Sequence, residues 1–279
     1  MSYRVGVDIG GTFTDFCVFD EETGTVHTLK VLSTPDNPGQ EVVDGIRALE
    51  SRYSVSPSAI TYFTHGTTVG VNSVIQRKGI NLCLFTTAEF EDVLEVARLK
   101  MPDPYDLFSR RAAPLVGREK VFGIKERVLF DGSVDEPLDE ESVRAAIQGV
   151  RDIGGDGIVI ALLHAYRNPI HEQRVAEIVR SEAPDLAVTC AGDVWPVIRE
   201  YERTITAVVA GYVQPRVAHY LTAFQDALRS VGVPAEPMLT KSNGGVMTAE
   251  LGKTECAQML LSGTASGVIG AASIARSAK

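Results

Sequence analysis

Asp8-Ile9-Gly10-Gly11-Thr12-Phe13-Thr14-Asp15 joins two short β-rich runs, Arg4–Asp8 and Thr14–Asp20. The Gly-Gly pair removes two Cβ atoms, so a ligand can come close to the backbone. Consecutive amides in such a turn make an anion-binding nest, and Thr12 and Thr14 add hydroxyl donors. Asp8, at the end of a buried strand, is placed to hold Mg²⁺ directly or through water. The stretch is neither a Walker A loop nor a dinucleotide fingerprint. No Gly-Lys-Ser/Thr is present, and the glycines lie between strands rather than before a helix. An ordinary hairpin turn would need neither the preceding aspartate nor the flanking threonines.

Outward from this turn, a third run, Val26–Leu32, follows Glu22-Thr23-Gly24 and predicts an antiparallel meander. Helical spacing then places Val42, Ile46 and Leu49 on one face of Glu41–Leu49. Ile60–Phe63 and Asn81–Thr86 read as strands, Thr68–Arg77 and Phe90–Leu99 as helices. Met101–Gly117, with three prolines, is a long excursion, and Lys125–Phe130 with Asp131-Gly132 suggests a hairpin. The helices Ser142–Ile153 and Ile170–Ala183 alternate with the strands Gly157–Leu163 and Leu186–Cys190, which predicts a parallel or mixed sheet with helices on its faces. A long helical pattern, Arg199–Val231, is interrupted at Gln214-Pro215, and a strand at Pro237–Lys241 follows. The change of texture near Gly192–Pro196 marks a domain boundary.

Three further segments carry polar chemistry. Thr64-His65-Gly66-Thr67-Thr68 lies where a strand exits and a helix begins; Thr67 or Thr68 can cap that helix, and His65 is either an acid–base group or a core histidine. Asn243-Gly244-Gly245 and Ser262-Gly263-Thr264-Ala265-Ser266-Gly267 are small-residue loops before helices, suited to a ligand near the backbone. Glu200-Tyr201-Glu202-Arg203-Thr204 reads as a solvated helix face, and His164, His171 and His219 as structural.

The 279 residues carry 27 basic and 36 acidic side chains, for a net charge of -9. Such a chain is a poor non-specific partner for nucleic acid or anionic membrane, so a bound phosphate would rely on backbone amides or a metal. Cys17, Cys83, Cys190 and Cys256 form no metal-binding pair, and reduced, mostly buried thiols in a cytoplasmic protein are expected. The N-terminal stretch has no signal-peptide pattern. Ala257–Ala275 is uncharged but rich in Gly, Ser and Thr, and reads as a loop entering a buried helix rather than a membrane span.

With these motifs in order, the chain resembles the hydantoinase A / 5-oxoprolinase family, which includes ATP-dependent N-methylhydantoinase and the ATP-binding subunits of acetone and acetophenone carboxylases. The resemblance runs through Val7–Asp15, Thr64–Thr68 with Asn72, Glu89–Leu94, Pro104–Leu107 and Glu126-Arg127. It continues through Glu202–Thr204, Tyr212–Pro215, Ser242–Gly245 and Ser262-Gly263. The glycine turn by itself is shared with sugar kinases and other actin-like ATPases.

The resemblance implies an α/β, actin-like ATPase fold with ribonuclease-H-like halves, mixed sheets and helices on both faces. It implies a family N-terminal domain over 1–192 and the beginning of the ATPase domain over 193–279. It also implies ATP and Mg²⁺ as cofactors, a hydantoinase B-type partner subunit and a cyclic amide or ketone as substrate. Asp8, as metal ligand, is expected in catalysis with His65 and Thr67. Gly10, Gly11, Thr12, Thr14, Asp15 and Thr68 are expected at the nucleotide, joined by Asn243, Gly244, Gly245, Ser262 and Gly263. The implied reaction is ATP-dependent hydrolysis of a hydantoin, 5-oxoproline or lactam through phosphorylation of the amide oxygen. A ketone carboxylase subunit and a non-catalytic actin-like scaffold are the alternatives.

Two departures stand out. Family members read Ser-Gly-Pro-Ala-Gly-Gly where this chain has Ser262–Gly267. They also carry a second Asp-x-Gly-Gly-Thr loop, which these residues lack. With the abrupt ending Arg276–Lys279, this raises the expectation of an N-terminal portion of a larger subunit, inactive by itself.

Overall fold

The structure, a computed structural model, describes residues 1–34 and 37–277. Of the expected terminal stretch Arg276–Lys279, Ala278 and Lys279 lie outside the described residues. In chain order the first elements are β1 (Tyr3–Ile9), β2 (Phe13–Asp20), β3 (Val26–Leu32), α1 (Gln40–Tyr53), β4 (Ile60–Thr67) and α2 (Val69–Ile75). Then come β5 (Leu82–Thr87), α3 (Val93–Val96), β6 (Val121–Ile124), β7 (Arg127–Val128), β8 (Val134–Glu136), α4 (Glu140–Asp152) and β9 (Gly157–Ala161). The last are α5 (Ile170–Glu182), β10 (Ala187–Cys190), α6 (Ala191–Val194), α7 (Glu200–Ser230), β11 (Pro237–Thr240), β12 (Val246–Thr248), α8 (Ala249–Thr254) and α9 (Ser262–Ser277).

The contacts group residues 1–76 with 214–279, and 77–213 by themselves. This spatial grouping is a different partition from the division at 192/193 expected along the sequence.

In the first unit, one mixed sheet runs β12-β11-β4-β1-β2-β3. The meander β1-β2-β3 is antiparallel as expected, while β1 and β11 both lie parallel to β4. Alternation along β1 and β2 turns Val5, Val7, Ile9, Phe16 and Val18 into the core and leaves Asp8 and Asp15 on the opposite face. Val42, Ile46 and Leu49 of α1 are buried, as their spacing predicts. The 214–230 part of α7 supplies Tyr220 and Phe224 to the same core.

In the second unit, β10-β9-β5-β6 form a fully parallel sheet, backed by α4 and α5. β9 is buried along its whole length, as an apolar strand covered on both faces should be. β7 and β8 make the expected hairpin. Buried polar groups gather beyond the carboxyl ends of the parallel strands. Thr87 donates to Glu126 Oε1 at 2.5 Å, and His171 Nδ1 lies 2.7 Å from Glu126 Oε2. Glu172 Oε1 accepts from the Gly192 amide at 3.1 Å.

Several local expectations are corrected. The helix Phe90–Leu99 shrinks to α3, because Glu89, Ala97 and Leu99 all adopt positive φ. α7 is not interrupted at Gln214-Pro215; the helix continues through Pro215, which costs it one backbone donor. The Glu200–Thr204 face is not uniformly solvated, since Arg203 is buried and donates to the carbonyls of Val197 (2.7 Å) and Leu162 (3.0 Å). Of the four thiols, Cys17 is exposed and the other three are buried. No helix among the described residues is long and apolar enough to cross a membrane.

Candidate phosphate-binding site

The glycine turn closes with the Gly10 amide donating to the Phe13 carbonyl at 3.0 Å. That bond uses the Gly10 donor and leaves Gly11 and Thr12 exposed at the tip, their amides unclaimed by any backbone acceptor among the described residues. The turn is braced from a residue the sequence reading missed. Ser33 donates its amide to the Thr12 carbonyl (3.0 Å) and its hydroxyl to the Gly10 carbonyl (2.8 Å). Its hydroxyl also meets Thr14 Oγ1 at 2.9 Å. The β2–β3 register pairs Phe13 with Leu32, which carries Ser33 to the turn. Thr14 is therefore buried and occupied by the brace, so its expected place at a ligand is corrected to a structural one.

Asp8 sits opposite Asp15 across β1 and β2, and opposite Gly66 across β1 and β4. Lys30 holds Asp15 at 2.6 Å, whereas no cation pairs with Asp8 among the described residues. Asp15 is thus partly neutralised by Lys30 in an exposed ion pair. Asp8 is an exposed carboxylate at the edge of a hollow left by Gly66. A Cβ there would stand 3.6 Å from Asp8 Oδ1 and 3.7 Å from Thr240 Oγ1. The hydroxyls of Thr64, Thr240 and Ser262 are buried without a hydrogen-bond partner. An unsatisfied buried hydroxyl costs about 1–3 kcal/mol, which a ligand accepting or donating there would recover. Thr64 stood in the quoted Thr64–Thr68 segment without a role of its own and Thr240 was not singled out; the strand pairing brings both to this face.

The loops expected at Asn243–Gly245 and Ser262–Gly267 are not loops before helices. Asn243-Gly244-Gly245 is the turn of the β11–β12 hairpin: Gly244 has φ +87°, and Asn243 Oδ1 accepts from the Gly245 amide at 3.0 Å. Ser262–Gly267 forms the opening turns of α9, whose glycines need no left-handed backbone. Ser242 links the two, its hydroxyl accepting from the Leu261 amide at 3.1 Å. α9 packs on β4 and β11, so Ser262 enters the same unit as Asp8 while Gly263 stays exposed. The helix is not buried as expected, for Val268, Ile269 and Ile274 are exposed.

His65 is corrected from an acid–base candidate to a core histidine. It is fully buried, stacks on Phe224 with ring centroids 4.6 Å apart, and its Nε2 meets Tyr220 Oη at 2.6 Å. Burial holds its pKa down to about 4, and burial pushes the Tyr220 phenol up. Thr67 is also core-facing, its Oγ1 accepting from the Val69 amide at 3.2 Å. That contact is a local turn, and Thr68, the N-cap residue of α2, makes no capping bond with its side chain. The Thr68 hydroxyl instead accepts from Asn72 Nδ2 at 3.1 Å.

No group of three or more metal-ligating side chains occurs among the described residues. A lone carboxylate beside polar hydroxyls and open amides suits a metal held mainly by phosphate oxygens and water, as Mg²⁺ commonly is. The orphaned hydroxyls and the hollow over Gly66 thus fit a phosphate chain.

Comparison with known proteins places the chain among relatives. Residues 4–183 match the hydantoinase/oxoprolinase N-terminal region, and residues 203–279 match hydantoinase/oxoprolinase. The chain is 33% identical to the caprolactamase subunit alpha of Pseudomonas jessenii, over 95% of this chain and 39% of that protein. It is 32% identical to the acetophenone carboxylase gamma subunit of Aromatoleum aromaticum, over 96% of this chain and 38% of that protein. The nucleotide-free structure of acetone carboxylase, an enzyme of ATP-dependent acetone carboxylation, superposes with a TM-score of 0.88 at 28% identity. That match covers 99% of this chain and 41% of the other. The chain thus spans about 40% of the length of these relatives. Its mixed α/β architecture is consistent with the actin-like ATPase fold of such enzymes, and the chain belongs to the hydantoinase/oxoprolinase family.

Proposed function

We propose that these residues form part of the ATP-binding subunit of an enzyme that hydrolyses a cyclic amide, with the terminal phosphate gripped by the Gly11–Thr12 tip and the Asp8–Gly66 face. The observation that carries this reading is the coincidence of an unpaired Asp8 carboxylate with the orphaned hydroxyls of Thr64, Thr240 and Ser262 in one unit. Bound ATP supplies a phosphoryl group for the amide oxygen, converting a resonance-stabilised carbonyl into a good electrophile.

The chain's own part is positioning and charge. The Gly11 and Thr12 amides bind anionic oxygens. Asp8 would hold Mg²⁺, directly or through water, and the ion would neutralise phosphate charge. The hydroxyls of Thr64, Thr240 and Ser262 orient oxygens that the amides do not reach. Asn243–Gly245 at the hairpin turn, Gly263 at the start of α9 and Thr68 before α2 are further contacts in this reading.

Relatives named as subunits support a multi-subunit assembly, and the partner in this reading is a hydantoinase B-type subunit. A second reading, the nucleotide-binding subunit of a ketone carboxylase, is supported by the acetophenone and acetone carboxylase relatives. The test is nucleotide turnover by the whole protein with its partner, across hydantoins, 5-oxoproline, lactams and ketones, with and without bicarbonate. Lactam-stimulated turnover independent of bicarbonate supports the hydrolase. Ketone-stimulated turnover requiring bicarbonate supports the carboxylase. Turnover with neither removes both. For the 279-residue chain by itself, nucleotide binding with negligible turnover is expected.

A further inference from the structure

The second unit contains a hollow that the phosphate site does not use. The excursion after α3 is shaped by arginines rather than by regular structure. Arg111 donates Nε to the Lys100 carbonyl (3.1 Å) and Nη1 to the carbonyls of Glu95 (2.5 Å) and Val96 (2.8 Å). Arg77 donates to the carbonyls of Ala113 and Pro114. Ala97 and Leu99, neither of them glycine, are held at φ 48° and 55°. Strained backbone of this kind persists only where its surroundings impose it. The excursion and the start of α7 enclose a hollow of about 680 Å³, within the range of small-molecule sites.

Its walls combine two chemistries. Leu94, Met101, Leu115 and Ile205 supply apolar surface. Arg98, Lys100 and Arg111 supply positive charge, in a chain whose net charge is -9. Arg98 is neutralised by Glu202. Arg111 meets only carbonyl dipoles, and Lys100 has no carboxylate within ion-pair distance among the described residues. Glu95 is the one acidic side chain on the wall, so positive charge remains in excess.

We propose that this hollow binds a small organic carboxylate, its anionic head at Lys100 and Arg111 and its apolar body against Leu94, Met101, Leu115 and Ile205. A charge-assisted contact at the head and burial of a short apolar body are the two interactions such walls offer. The site lies wholly within residues 77–213 and does not depend on the phosphate site.

The test is calorimetric titration of the 279-residue chain with benzoate and hexanoate, against benzamide, hexanamide and acetate. Benzoate and hexanoate should bind, and the neutral amides and acetate at least ~10-fold more weakly, for loss of the charged contact or the apolar body. Lys100→Gln should weaken benzoate ~10-fold and leave benzamide unchanged. Ala112→Trp, at an exposed position on the wall, should block both without lowering the melting temperature. Benzamide binding as tightly as benzoate, benzoate binding that survives Ala112→Trp, or no binding at ~10 mM would each overturn the proposal. Should Ala112→Trp destabilise the chain, a benzoate-soaked crystal of the unsubstituted protein decides: density in the hollow supports the site, and density elsewhere or none sinks it.

Discussion

Asp8 Oδ1 stands 3.6 Å from the point where a side chain on Gly66 would begin. That separation is ordinary van der Waals contact, so Gly66→Ala should fold. The added methyl would nevertheless occupy the hollow that the phosphate is proposed to enter. We expect unchanged thermal stability within about 0.5 kcal/mol and nucleotide affinity lowered by ~10-fold or more. A thermal melt checks the first half and calorimetric titration with Mg·ATP the second, and unchanged affinity would place the phosphate elsewhere.

Asp8→Asn separates the charge from the shape. Asp8 is exposed and faces Asp15, a like charge directly across the strand pair, so the fold should be unaffected or slightly stabilised. In the whole protein, turnover should fall by at least ~10²-fold, the scale for removing one charge-stabilising element. Full turnover in this variant would take Asp8 out of the mechanism.

The orphaned hydroxyls give a test with opposite signs. Thr64→Val or Thr240→Val removes a buried donor that has no partner, so the unliganded chain should gain about 1 kcal/mol in urea unfolding. The same change should reduce the stabilisation that ATP confers. A gain in stability with undiminished ATP protection would make these hydroxyls defects of packing rather than ligand contacts.

Two buried groups set opposing pH responses. Glu172 is pushed up to about 7 by burial, against the Gly192 amide and the Arg203 charge, which favour ionisation. Between its ordinary 4.5 and about 7 the folded chain binds more protons than the unfolded one, so this contribution is lost as pH rises through that window. His65, held down to about 4, acts the other way: between 6.5 and 4 the unfolded chain takes the proton, and stability falls as pH falls. Glu172→Gln should remove the first effect, on the order of 2 kcal/mol between pH 5 and 7, making stability rise more steeply over that interval. Urea titrations at those two pH values read the difference. Histidine NMR should find His65 neutral down to about pH 4.

Much of the scaffold was legible because it follows simple periods. The meander, the buried stripe of α1 and the apolar strand β9 all carry a two- or 3.6-residue pattern. The helix through Pro215 was not legible, because packing of a long apolar face overrides a local break. Nor was the opening of α9, where small residues read as a loop yet accept helical backbone. At the site, Asp8 and the glycine tip stood out as a local motif, whereas Ser33, Thr64 and Thr240 arrive through strand register between distant segments. His65 and Thr67 misled for the same reason. Alternation along β4 sends them inward and leaves Gly66 on the opposite face.

The Ser33 brace has a kinetic consequence. With Gly10, Thr12 and Thr14 already tied together, the receptor is shaped before the nucleotide arrives and has little rearranging left to do. Stopped-flow mixing should therefore give one exponential whose rate climbs linearly with nucleotide concentration and reaches no plateau. Ser33→Ala would leave the tip to find its form after encounter, and the trace would bend over at high concentration.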